Sequence, residues 1–208
     1  MEQPPEPRDA AQCETLAALS RRIRDCQLCA GDMPHTPRPV FQVSERARIL
    51  VAGQAPGNLA HRSGRPFTDP SGVRLRAWMG VSDETFYDAE QVALVPMGFC
   101  FPGYDSKGSD LPPLKQCAAE WRSQVLARLP AVETVLLVGG YAQKWHLGTQ
   151  AGRTLSETVA NWQHFAGEGV FPTPHPSWRN NAWLKRHPWF ESDLLPALRA
   201  SVHSSLQR

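Results

Sequence analysis

The sequence predicts an α/β fold, a mainly parallel β-sheet with helices on both faces. Three observations carry this. Short apolar runs of four to six residues, too brief for helices, alternate along the chain with segments whose apolar residues recur at helical spacing. Two of the runs, Ala47–Ala52 and Thr134–Val138, lead straight into glycine. Polar segments rich in glycine and proline follow the runs, where a parallel sheet delivers its loops to one edge and binds ligands.

Taken in order, residues 1–12 are proline-rich and polar and are expected as a mobile tail, with a single domain over 13–208. Glu14–Asp25 carries Leu16, Leu19 and Ile23 at helical spacing and gathers basic residues toward its end, where they complement the helix dipole. Pro34, Pro37 and Pro39 make 30–40 a loop. Ala47–Ala52 reads as a buried strand and Gly53-Gln54-Ala55-Pro56-Gly57 as the tight loop at its end. Val73–Met79 is expected to be helical, Val92–Val95 a second strand, and Leu114–Leu129 an amphipathic helix stopped by Pro130. Thr134–Gly140 is the clearest strand, with a helix from about Tyr141. Gly169–Thr173 is a weaker last strand running into His175-Pro176-Ser177, and a helix from Phe190 to about Val202 closes the chain.

The 208 residues suffice for one domain with a real core: 41% are hydrophobic and 20% charged, which excludes disordered, collagenous and coiled-coil classes. No window approaches the roughly 20 apolar residues of a membrane span, and Met1–Pro7 has no apolar leader core. A cytoplasmic protein with no membrane partner is expected, plausibly monomeric. The net charge of +2 and pI near 8.4 permit a nucleic-acid partner, provided the positive charge is local.

Cys26 and Cys29 form a CxxC, and Cys100 and Cys117 a second pair sixteen residues apart. Five cysteines, an odd number, argue against a disulfide framework. A redox dithiol is one reading of CxxC, although its segment follows a helix rather than a strand. Four thiolates suit tetrahedral zinc or an iron–sulfur cluster equally, and the residues alone leave that choice open. Cys13 has no partner by spacing.

Between the first strand and the next helix lies Arg62-Ser63-Gly64-Arg65-Pro66-Phe67-Thr68-Asp69, with an aromatic and an acid two residues apart in a polar loop. Taken with the four cysteines, the Gly-Gln-Ala-Pro-Gly loop, the strand Leu136–Gly140 and His175-Pro176-Ser177, in that order, the sequence resembles the uracil-DNA glycosylase superfamily. Within it the chain is most similar to the iron–sulfur branches called families four and five, over about Leu16–Leu198. The resemblance implies a three-layer αβα fold with a four-stranded sheet, and a 4Fe–4S cluster on Cys26, Cys29, Cys100 and Cys117.

It also implies hydrolysis of the N-glycosidic bond of uracil in DNA, leaving an abasic site, after the nucleotide is flipped from the helix. The partner is then uracil-containing DNA, single- or double-stranded. His175 matches the histidine that donates to the leaving base, Phe67 the aromatic that stacks on it, and the segment Gln54, Ala55, Gly57, Asn58 the substrate loop. Two departures stand out. Gln54 and Ala55 occupy positions where related branches place a carboxylate, which moves the expected acid to Asp69. The position that carries a uracil-reading asparagine in family four, four residues before the third cysteine, is Pro96.

After His175 come Ser177, expected to touch DNA, and Trp178, Arg179 and Asn180, one of which is expected to enter the gap left by the flipped base, with Lys185 and Arg186 on phosphates. The competing reading packs Trp183 and Trp189 into the core. The self-crosslinking branch places a histidine between the third and fourth cysteines, and residues 101–116 contain none. Two alternatives to a uracil enzyme follow from the departures: a weakly active or non-catalytic binder of damaged DNA, and a glycosylase for the deaminated purines hypoxanthine and xanthine.

Overall fold

The computed structural model describes residues 14–208; the expected tail and Cys13 lie outside the described residues. The elements run α1 (Leu16–Arg24), β1 (Ile49–Ala52), α2 (Asn58–Ser63), α3 (Pro70–Met79), α4 (Asp83–Tyr87), β2 (Val92–Leu94), α5 (Lys115–Leu126), β3 (Thr134–Val138), α6 (Gly140–Leu147), α7 (Leu155–Ala160), α8 (Trp162–Ala166), β4 (Val170–Thr173), α9 (Asn181–Arg186) and α10 (Leu195–Leu206). The four strands form one sheet in the order β2-β1-β3-β4, and every pairing is parallel.

Side chains alternate across the sheet, and the two faces carry separate cores. Ile49, Val51, Val92, Leu94, Leu136 and Val138 pack with Leu75, Trp78 and Met79 of α3 and Leu195, Leu198 and Val202 of α10. Leu50 and Ala93 face the other way, onto Leu16, Leu19 and Ile23 of α1 and Trp121 and Val125 of α5. The result is the three-layer αβα arrangement expected. Thr15 caps α1 by accepting from the Ala18 N–H at 3.2 Å.

Several elements differ from expectation. Asn58–Ser63 is a short helix rather than loop, closed by Gly64 at φ 72°. The helices α4, α7 and α8 have only five or six residues each, too few for apolar spacing to show in the sequence. The expected last helix opens as a π turn over Phe190–Leu194. Pro196, the second residue of α10, has no N–H to return to the carbonyl four residues back.

One buried arginine braces the exit of β2. Arg122 of α5 is fully buried and donates to the carbonyls of Val95 at 2.8 Å and Pro96 at 2.9 Å. Its Nη2 lies 2.6 Å from Nε2 of His146 on α6, which must accept. Burial and the Arg122 charge push the His146 pKa down to about 3, so its ring is neutral.

Candidate active site

A cleft of about 730 Å³ opens at the C-terminal ends of the strands. Its floor is the loop after β1. The Gly53 carbonyl accepts from the Met97 N–H at 2.8 Å and the Gln54 carbonyl from the Gly98 N–H at 2.9 Å, which pins this loop to the segment leaving β2. The Gln54 side chain points the other way, its Nε2 3.4 Å from the Leu111 carbonyl.

Phe67 forms one wall and is the one non-glycine residue with positive φ among the described residues, at 53°. A left-handed phenylalanine costs about 1–3 kcal/mol unless its surroundings impose it. Here they do. Its carbonyl accepts from the Tyr87 hydroxyl at 3.0 Å and from Arg76 Nη1 at 3.3 Å, and Arg76 Nε is fixed by Asp83 at 2.6 Å. A Cβ on Gly72 would fall 1.9 Å from that same carbonyl oxygen. The Phe67 ring lies 3.3 Å from where a Cβ on Gly53 would sit, so glycine at 53 lets the ring close over the floor.

Across the cleft, His175 follows β4. Its carbonyl accepts from Asn180 Nδ2 at 2.7 Å, and Arg74 Nη1 of α3 reaches the Ser177 carbonyl at 3.2 Å and Asn181 Oδ1 at 2.8 Å. Burial lowers the His175 pKa, and the nearby Asp69 carboxylate opposes that shift. Asp69 stands at the N-cap of α3 but makes no backbone cap; both its oxygens lie within 2.8 Å of Ser71 Oγ.

A part-buried imidazole with a lowered pKa, a carboxylate near it and an aromatic wall over a glycine floor meet at one strand-end cleft. Residues 40–199 match the family model of the Uracil DNA glycosylase superfamily. The chain belongs to that superfamily. Membership places it among the DNA glycosylases, and the cleft just described is the candidate site for that chemistry.

Of the residues the sequence nominates for this glycosylase, Gln54, Ala55, Gly57, Asn58, Phe67, Asp69, His175, Ser177, Trp178, Arg179 and Asn180 all line the cleft. Asn58 does so as the first residue of α2. Trp178 is 72% exposed at the rim, with the Arg179 guanidinium 5.8 Å from its ring. Lys185 and Arg186 are not in the cleft wall; they sit on exposed positions of α9, with Arg186 Nε returning to the Ala182 carbonyl at 3.2 Å. Trp183 belongs to the core and donates to Ser156 Oγ at 2.7 Å, and Trp189 packs against that core. Pro96 does line the cleft, but its carbonyl is already held by Arg122.

Sequence reasoning missed Asp110, on the loop between β2 and α5. It lines the cleft with Oδ2 3.9 Å from a Cβ position on Gly57. A single aspartate among glycine, serine and proline carries no signal in sequence.

The four cysteines meet behind the floor. Cys26, Cys29, Cys100 and Cys117 line one small cavity with Ile23, Met33 and Trp121 among its apolar walls, and all four are free thiols. The Phe99 N–H donates to Cys117 Sγ at 3.2 Å. Burial pushes the Cys100 thiol up to about 12 and Cys117 to about 11. Among the described residues no three His, Cys, Asp or Glu side chains form a group that could hold a metal ion. What the four share is a cavity wall and an all-thiol donor chemistry, which suits zinc and an iron–sulfur cluster alike. Gly98 belongs to this cavity and also bonds the Gln54 carbonyl, so the cavity and the floor share a wall.

Proposed function

We propose that the chain is a monofunctional uracil-DNA glycosylase of the iron–sulfur type, cleaving the N-glycosidic bond in DNA and leaving an abasic site. The observation that carries this is the pairing of a part-buried His175, its pKa lowered, with the Phe67 wall in one cleft of about 730 Å³.

The flipped base enters between Phe67 and the His175 turn, over the glycine floor. As the bond from C1′ to the base lengthens, the sugar gains positive charge and the base negative charge. His175, neutral, donates a hydrogen bond to the base oxygen where that charge collects, and Asp69 opposes the charge on the sugar. Trp178 occupies the gap in the stack, Arg179 and Asn180 flank it, and Lys185 and Arg186 meet phosphates farther along the strand. Water completes the hydrolysis.

A 4Fe–4S cluster on Cys26, Cys29, Cys100 and Cys117 belongs to this reading. Its support is the shared cavity, the all-thiol donor set and the Phe99 N–H aimed at the Cys117 sulfur. Cys26 and Cys29 of the CxxC turn, Cys100, and Cys117 at the start of α5 would hold it beside Gly98, and hydrolysis would need no electron from it.

One observation favours a second reading. Pro96, which lines the cleft, offers no side-chain donor to read uracil, which leaves room for hypoxanthine or xanthine as substrates. The test is release of free base from oligonucleotides carrying uracil, hypoxanthine or xanthine, by wild type and Asp69→Asn. Uracil release that drops sharply in the variant is expected, from protein that purifies brown. Release of purines alone would change the substrate. No release with retained binding of damaged DNA would make the chain a binder, and colourless protein holding stoichiometric zinc would remove the cluster.

A further inference from the structure

The loop after β1, Gly53-Gln54-Ala55-Pro56-Gly57, carries no carboxylate, and a different loop brings one, Asp110, to the same cleft. We infer that Asp110 is a second catalytic carboxylate, the general base on the attacking water, delivered by the loop between β2 and α5. This assignment rests on the glycosylase reading above.

Three observations converge on it. Asp110 Oδ2 faces the Gly57 end of the floor, 3.9 Å from a Cβ position there, so the carboxylate overhangs the loop whose own acid is missing. The loop that carries it is held from both sides of the cleft. Gln54 Nε2 reaches the Leu111 carbonyl at 3.4 Å, Arg179 Nη1 reaches Ser109 Oγ at 3.1 Å, and Leu111 N–H returns to the Gly103 carbonyl at 2.9 Å. Gln54 is thus an anchor for the acid's loop in the place of the acid itself.

The third observation is the contrast between the two carboxylates. Asp69 is turned onto Ser71 Oγ and set beside His175. Asp110 is bonded to no comparable hydroxyl: Arg179, the cation nearest in effect, gives its Nη1 to Ser109. Asp110 is exposed to the cleft; partial desolvation raises its pKa, Arg179 opposes this and the Asp69 charge adds to it. Paired acids in unlike settings divide the work. Asp69, near the imidazole, balances the cationic sugar; Asp110, free at its oxygens, takes the proton.

The step balances. The water oxygen bonds to C1′ while the C1′–N bond breaks and its electron pair leaves on the base. One water proton passes to an Asp110 oxygen, and from there through solvent to the departed base.

The experiment measures single-turnover base release by wild type, Asp110→Asn and Asp69→Asn, alongside binding of an oligonucleotide with a tetrahydrofuran abasic-site analogue. Asp110→Asn is expected to slow release by about 10²–10³-fold, as loss of a general base does, with analogue binding and melting temperature unchanged. Asp110→Ala gives a second arm, since added formate can enter the vacated space and restore part of the rate. Release by Asp110→Asn within threefold of wild type, or a slow Asp110→Ala indifferent to formate, overturns the assignment while the glycosylase reading stands. A wild type that releases no base from any oligonucleotide overturns both.

Discussion

An imidazole that stabilises a leaving base by hydrogen bonding must hold one proton and not two. Burial keeps His175 in that state, because the charged ring would lose its water, and Asp69 only partly offsets the effect. His175→Ala should therefore cut base release by roughly two to three orders of magnitude, as removal of an oxyanion donor does, with the melting temperature nearly unchanged. The pH profile carries the sign. A folded-state pKa below the ordinary 6.5 keeps the neutral ring dominant through neutral pH, so any loss assignable to His175 should set in only on the acid side of that value. A rate that halves between pH 8 and pH 7 through this residue would contradict the neutral-donor role.

At the scale of elements, the decisive contact joins the start of α3 to the loop before it. Phe67 is held left-handed because Tyr87, Arg76 and the bare Cα of Gly72 all converge on its carbonyl. Gly72→Ala would drive a methyl group into that oxygen, so the turn must unwind and the aromatic wall leave the floor. Base release is expected to fall at least tenfold and the melting temperature to drop by several degrees. Gly167→Ala, with nothing within 4 Å of the added methyl, should leave both unchanged.

The sequence makes the strands legible because β1 is apolar throughout and β3 is apolar after Thr134, as buried parallel strands tend to be. It shows the long helices through their spacing, and the floor loop and His175 through their place after strands. It hides α4, α7 and α8, which are too short for apolar spacing to show, although Ser82 caps α4 and a Thr154–Glu157 capping box starts α7. It also hides the twist at Phe67 and the arrival of Asp110, which are fixed by residues far away in the chain: Tyr87 for one, Gln54 and Arg179 for the other.

Across the whole molecule, the same burial that serves the site makes the fold sensitive to acid. His146 is held neutral with a pKa near 3 between Arg122 and the core, and His175 is also lowered. Below about pH 6.5 the unfolded chain binds protons at these rings that the folded chain does not. Stability is then complete above that pH and falls as pH drops toward the folded values. The melting temperature should decline steadily from pH 7 to pH 4. His146→Gln, which keeps an acceptor for Arg122, should flatten that decline, and an equal slope in both proteins would remove His146 as its source.

The cross-ties at the strand ends bear on how such an enzyme could be redesigned. Gly98 shares its amide with the floor loop, Gln54 holds the strap that carries Asp110, and Arg179 grips the same strap from the far bank. A loop transplanted singly from a homologue would arrive without its counterpart and hang loose. New base preferences would have to be grafted as matched sets, the floor with its strap and the strap with the His175 turn.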